Sequence, residues 1–546
     1  MVRNDKFIVT IILFLIAANV QAQVNRYVVY FPDKEDTNYR IDQPLEFLSQ
    51  KAIDRRVKVG FEITEQDFPV NRNYIDSLVK YNANPYYTSR WFNAAIIQVD
   101  VTVKDLLLGK SFVTSVEYVA PGVEYTEVPS EKNTSYTSNP PVSDTKTTDR
   151  QLSMLAVDYM HQDGYTGEGL WIAVFDGGFA GANESSVFQN LFENNKIKDM
   201  EDFVSGGKDV FIYDDHGTKV LSCISGKYNS QIVGTAYDAE ISLYITGDDA
   251  VYEDEFRIEE FNWVIAAEKA DSSGVDIISS SLGYNTFEDS SMDYTTAQLD
   301  GKTAIVTKGA EMVSDRGVLV VNSAGNSGGD SWNLITFPAD GESVLAVGGV
   351  TSSKVRSDFS SFGPTADNRI KPDVAAMATG TVVVNSQGNI VSSNGTSFAC
   401  PLVAGFAASL WQAKPELTNI ELKQLIMTSS SQANNPDNSL GYGIPNYNVA
   451  VGNILGLDNE MSKDVHVYPN PITGNKLKVK FDIGQFGKSL AFEIYNSNGN
   501  MVVSDQKQIL HSDNEIELDL TGLTKGIYIL SIISPDNYKG IKLLKF

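Results

Sequence analysis

The chain has 546 residues, 42% of them hydrophobic, and a formal net charge of −26. Its length allows three or four domains with ordinary cores. The acidic balance excludes nucleic acid as a favoured partner, because a polyanion would be repelled.

In chain order, Arg3 and Lys6 form a basic region, residues 7–18 are mostly apolar, and Val20-Gln21-Ala22 offers a small-residue cleavage pattern. Residues 1–22 are therefore predicted to be a secretory signal peptide. The apolar run is too short for a membrane anchor, and no later segment reads as transmembrane. Residues 23–125 form a first, small α+β unit. Segments 27–31 and 94–99 read as strands, and 44–56 reads as a helix with Leu45, Leu48, Ala52 and Ile53 at helical spacing. Residues 126–149 are rich in Ser, Thr, Asn, Lys and Pro and have no apolar period, so they read as a linker and an accessible place for cleavage.

Residues 150–455 alternate short apolar runs with helical patterns. The spacing predicts strands at 170–175, 240–244, 275–279, 318–322 and 343–350, and helices at 216–225, 256–270, 304–315, 396–413 and 419–428. Such alternation predicts an α/β fold, a parallel sheet with helices on both faces. Functional residues in these sheets gather at the carboxyl ends of strands. From 465 to 546 the pattern alternates at 477–481 and 516–520, with a turn signal at Asn498-Gly499, and predicts a small β-sandwich.

Three short motifs carry the chemistry. Asp176 closes the run Trp171-Ile172-Ala173-Val174-Phe175-Asp176. His216 opens His216-Gly217-Thr218-Lys219-Val220, and Ser397 lies in Asn394-Gly395-Thr396-Ser397-Phe398-Ala399-Cys400-Pro401. Taken singly, an Asp-Gly is a turn, a lone His is structural, and a Gly-Thr-Ser is a helix cap. Together, the order Asp, His, Ser is one of few chain orders of a serine-hydrolase triad. A serine is a poor nucleophile unless a base removes its proton. His216 would be that base, with Asp176 holding the imidazole in its tautomer. Asn326 follows an apolar strand in Asn322-Ser323-Ala324-Gly325-Asn326. An amide side chain there could donate to a developing oxyanion, together with the Ser397 N–H at a helix N-terminus, although an Asn that merely turns the chain after a strand is the alternative. Cys223 and Cys400 follow His216 and Ser397 closely. The sequence does not decide between a disulfide and two buried thiols, and the second is the plainer reading.

These motifs resemble those of the subtilisin family, the subtilases. Phe337-Pro338-Ala339, Phe359-Ser360-Ser361-Phe362-Gly363-Pro364, Lys371-Pro372-Asp373-Val374 and Gly441-Tyr442-Gly443 extend the likeness over the whole 150–455 unit. The resemblance implies a secreted serine endopeptidase with Asp176, His216 and Ser397 as triad and Asn326 in the oxyanion hole. It implies that Ser281, Leu282 and Gly283 pair with an extended substrate backbone, with Ala324 and Gly325 at the same cleft. It requires no organic cofactor. Structural calcium occurs in the family, but the acidic doublets Asp214-Asp215 and Asp248-Asp249 read as solvated surface, and no metal ligands are assigned.

The first unit resembles a subtilase propeptide, an intramolecular inhibitor; an independent α+β domain is the alternative. Val467-Tyr468-Pro469-Asn470-Pro471 and Leu523-Thr524-Lys525-Gly526-Ile527-Tyr528 resemble the C-terminal sorting domain of the type IX secretion system. That implies the type IX machinery as a partner, export across an outer membrane, and release or attachment at the cell surface. A generic immunoglobulin-like appendage is the alternative. The sequence departs from the family at Gly177, Lys219 and Met377-Ala378. Two rival functions remain: a catalytically inactive, surface peptide-binding pseudoprotease, and a structural protein whose last domain does the biological work.

Overall fold

The computed structural model describes residues 24–123, 147–247, 255–452, 465–481, 490–496, 501–507, 515–533 and 538–545. The predicted signal peptide, nearly all of the predicted linker, Asp248-Asp249 and the Asn498-Gly499 turn lie outside them.

The first unit is an antiparallel sheet in the order Pro85–Ser89, Ala94–Asp100, Val24–Tyr30, Ser115–Pro121. Helices Arg72–Lys80 and Val101–Leu108 pack against it. Side chains alternate between the faces of a strand. Tyr27 and Val29 thus enter the unit's own core with Leu78, Ile97 and Leu107. Val28 turns the other way and joins Trp91, Ala94 and Ile96 in the core of the following unit. The predicted helix at 44–56 is displaced. Pro44–Glu46 is a single 3-10 turn, and the α-helix runs Gln50–Val59, because the Ser49 hydroxyl accepts the Ala52 N–H and caps its start.

The central unit is built on seven parallel strands. Their order across the sheet is Val374–Met377, Leu345–Val350, Leu319–Ser323, Ile277–Ser280, Trp171–Asp176, Glu240–Ile245, Ile197–Asp202. The predicted strands and helices of this unit are all present, their ends shifted by at most three residues. Two edge strands were not predicted. Ile197–Asp202 reads IKDMED, too polar to signal a strand, and Val374–Met377 is only four residues long.

Alternation sends Ile172, Val174, Leu319 and Val321 to one face, under helices His216–Ser225 and Thr396–Ala413. Ala173, Phe175, Ile278 and Val320 face the other way, under Ile258–Ser273 and Ile305–Asp315. The fold class is thus α/β, a parallel sheet with helices on both faces. The strand of this sheet that comes first in the chain, Trp171–Asp176, lies mid-sheet. The next two strands are laid down on one side of it, and the series from Ile277–Ser280 on the other. The direction reverses beside Trp171–Asp176, which opens a crevice at its carboxyl end.

The last unit pairs two antiparallel sheets. One is Val465–Tyr468, Lys476–Phe481, Glu515–Asp519; the other is Met501–Lys507, Leu490–Asn496, Gly526–Ile533, Tyr538–Lys545. Leu477, Val479, Phe492, Ile494, Leu518 and Leu530 form a core of their own, as the predicted sandwich requires.

Candidate active site

Asp176 ends its strand at the crevice and is fully buried. His216 is the first residue of helix His216–Ser225, and its Nδ1 lies 2.8 Å from Asp176 Oδ1. That oxygen also accepts the Gly177 N–H at 2.9 Å. The helix start reaches Asp176 by passing very close to the loop behind it. Gly217 N donates to Gly178 O at 3.0 Å, and a Cβ on Gly217 would lie 2.3 Å from that oxygen. The Phe398 ring lies 5.6 Å from the imidazole, centroid to centroid. Burial alone would lower the imidazole pKa. The Asp176 carboxylate, helped by Asp214, outweighs it and leaves the pKa raised above its ordinary 6.5.

Ser397 sits in the first turn of helix Thr396–Ala413. Its Oγ donates to Ser281 O at 3.4 Å, and Ser281 Oγ donates to Ser397 O at 2.8 Å. These bonds tie the serine to the end of strand Ile277–Ser280. Asn326 is exposed at the crevice. Its Oδ1 accepts both Thr396 N and Thr396 Oγ1 at 2.9 Å. With the oxygen fixed, its Nδ2 lies 3.8 Å from where a Gly395 Cβ would be. A donor is thereby held beside the first turn, whose amides have no intrahelical acceptors.

The predicted substrate-binding residues flank this point on two segments. Leu282 is half-buried and Gly283 exposed, and Asn322 Nδ2 donates to Leu282 O at 2.9 Å. Ala324 is buried, and Gly325 adopts φ +104°, a conformation that favours glycine. Thr336 bridges the two segments and was not read from the sequence. A Cβ on Gly283 would lie 2.2 Å from Thr336 Oγ1, and one on Gly325 3.0 Å from it. That hydroxyl is buried with no hydrogen-bond partner among the described residues. Only its position before Phe337-Pro338-Ala339 offered a signal.

Both cysteines are free and buried, and burial pushes the Cys400 thiol up to about 12. Neither is a thiolate nucleophile at neutral pH. Among the described residues no group of three or more His, Cys, Asp or Glu is arranged to hold a metal ion. Asp214 Oδ1 accepts the N–H groups of Asp215 and His216, and Asp215 binds Lys219 and Ser386, so this doublet is engaged by the protein itself.

Residues 167–443, just over half the chain, match the model of the subtilase family, peptidase S8. The chain belongs to the subtilase family. Residues 26–136 match the peptidase S8 propeptide domain of Bacteroidota, and residues 466–545 match a secretion system C-terminal sorting domain. Subtilisin NAT from Bacillus subtilis subsp. natto is 30% identical over 291 residues, covering 52% of this chain and 66% of the relative. Subtilisin DY from Bacillus licheniformis is 29% identical over 301 residues, covering 54% of this chain and 93% of the relative. The crystal structure of MycP1 from the ESX-1 type VII secretion system covers 57% of this chain and 87% of its own, at TM-score 0.44 and 20% identity.

Proposed function

We propose that this subtilase is an exported serine endopeptidase that cleaves peptide bonds through an acyl-enzyme. Ser397 attacks the scissile carbonyl. His216 takes the Ser397 proton and returns it to the leaving amine, so that the peptide C–N bond breaks and the acyl group stays on Ser397. Water, deprotonated by the same imidazole, then attacks the acyl carbon; the ester bond to Ser397 Oγ breaks, the imidazolium returns the proton to Oγ, and the acid leaves. Asp176 orients His216 and stabilises its charged form. Asn326 Nδ2 and the Ser397 N–H donate to the oxyanion. No organic cofactor enters any step.

The single observation that carries this reading is the 2.8 Å contact of His216 with a fully buried Asp176, in a family whose members hydrolyse peptides. The Ser397 hydroxyl donates to Ser281 O at 3.4 Å, and in this reading it turns to His216 when substrate binds, since catalytic hydrogen bonds commonly tighten only then. An extended peptide is the fitting substrate, because the exposed backbone at Gly283 offers strand-like pairing. The first unit would act as inhibitor until removed, and the last would direct export by the secretion machinery to the outer surface. No described helix is long and apolar enough to cross a membrane.

The test is hydrolysis of a quenched-fluorescence peptide library by the processed protein. Asn326→Ala is expected to lower kcat about 10²–10³-fold, the range known for subtilisin itself rather than one derived from this chain, with KM little changed. Equal activity in the variant would remove Asn326 from the mechanism, and no hydrolysis by the parent would favour the peptide-binding alternative.

A further inference from the structure

Residues 31–71 join strand Val24–Tyr30 to helix Arg72–Lys80, and part of this excursion grips the catalytic unit far from the crevice. Helix Ile258–Ser273 ends there. A helix leaves its last four carbonyls without intrahelical donors. Ala270 O accepts from Gly274 N. Asp271 O accepts from Gly274 N too, at 3.2 Å, and from Arg55 Nη2 of the first unit at 3.0 Å; the last two are met by the first unit alone, Ser272 O by Ser49 N at 2.8 Å and Ser273 O by Ser49 Oγ at 2.9 Å. Ser49 also caps the start of Gln50–Val59. The N-terminus of one helix thus abuts the C-terminus of the other, and the two dipole ends attract.

Two guanidinium groups complete the contact. Arg55 Nη2 binds Asp271 Oδ1 at 2.6 Å, and Arg56 Nη2 binds Asp271 Oδ2 at 2.7 Å. Arg56 and Arg316 share Asp67 at 3.1 and 2.9 Å. Asp271 and Asp67 are 0% exposed, and Arg56 and Arg316 are 1% exposed. Charges buried this deeply are held by their partners, and removing one partner strands the other. Lys51 adds a half-exposed pair to Asp276 at 2.6 Å. Asp276 precedes strand Ile277–Ser280, whose far end leads to Ser281 beside Ser397. At about 3.3 Å per residue, roughly 16 Å of strand separate the two places.

We propose that residues 49–67 are a second lock on the catalytic unit, independent of the crevice. This rests on the reading of the first unit as a removable prosegment. The lock's seat is the Asp271 carboxylate with the open carbonyls of Ser272 and Ser273, and its key is Ser49 with the adjacent pair Arg55 and Arg56. This grip adds to the apolar contact of the sheet through Val28, Trp91 and Ile96, so the prosegment stays bound after the chain is cut between residues 124 and 146, and withdrawing both guanidinium groups speeds its release. The freed seat is complementary to paired arginines on a short helix.

The test uses the full chain with Ser397→Ala and an inserted site for a sequence-specific protease between residues 124 and 146. After cutting, native mass spectrometry is expected to find the two pieces together. Arg55→Lys with Arg56→Lys keeps both charges but loses the guanidinium fork, and is expected to release the prosegment at least about 10-fold faster. Separation of the parent on cutting, or equal release by the double variant, would overturn the proposal. Should the double variant not fold, hydrogen exchange on the cut parent decides. Persistent protection of 50–59 and 270–276 supports the lock, and opening there while 115–121 stays protected refutes it. The cut is made by an added protease, so loss of the hydrolase reading through an inactive Ser397 would leave this outcome unchanged.

Discussion

His216 is tuned by opposed influences, and the balance is readable in a pH profile. The imidazole must be neutral to take the Ser397 proton. Its raised pKa therefore puts the acid limb of kcat/KM above 6.5. Asp176→Asn removes the main upward push and leaves burial, which acts downward. The limb is expected to move to lower pH while kcat falls about 10⁴-fold through the wrong tautomer. A limb that stays in place would show that Asp176 does not set the His216 charge. Gly217 matters for space rather than for φ. Gly217→Ala would drive a Cβ into Gly178 O and the Phe179 ring. The helix start must shift, so kcat is expected to fall at least about 100-fold at a stability cost of about 1–3 kcal/mol. Unchanged kinetics with intact folding would mean that the His216 position tolerates this displacement.

At the scale of elements, what the sequence reveals follows from where each element is buried. Strands such as Leu345–Val350 are buried on both faces and carry no polar side chain. Ile197–Asp202 is an edge strand with one buried residue, so its pattern carries no period. The helix at 50–59 is placed by Ser49, whose cap the apolar spacing of Leu45, Leu48, Ala52 and Ile53 does not encode. The candidate site was legible in Asp176, His216, Asn326 and Ser397 because each lies in a local motif. Thr336 and Asp271 were not, because their partners are distant in sequence: Thr336 meets Gly283 and Gly325, and Asp271 meets Arg55 and Arg56. Pairing of that kind exists only after folding.

At the scale of the molecule, the first and second units share a hydrophobic cluster, through Val28, Trp91 and Ile96 against Trp263 and Ala267. The last unit keeps a separate core. Removal of the last unit is thus expected to spare the catalytic sheet. A chain ending at residue 455 should retain the parent's activity toward peptides while failing to reach the cell exterior, measured by activity in fractionated cultures. Loss of activity with the fold intact would assign the sandwich a part in catalysis.

The central claim is that Ser397 is an activated nucleophile. Its most direct measurement is labelling of the processed protein by a fluorophosphonate probe, with Ser397→Ala as control. Covalent label on the Ser397 peptide, absent from the variant, is the predicted result. A folded protein, freed of its first unit, that takes no label would contradict the account.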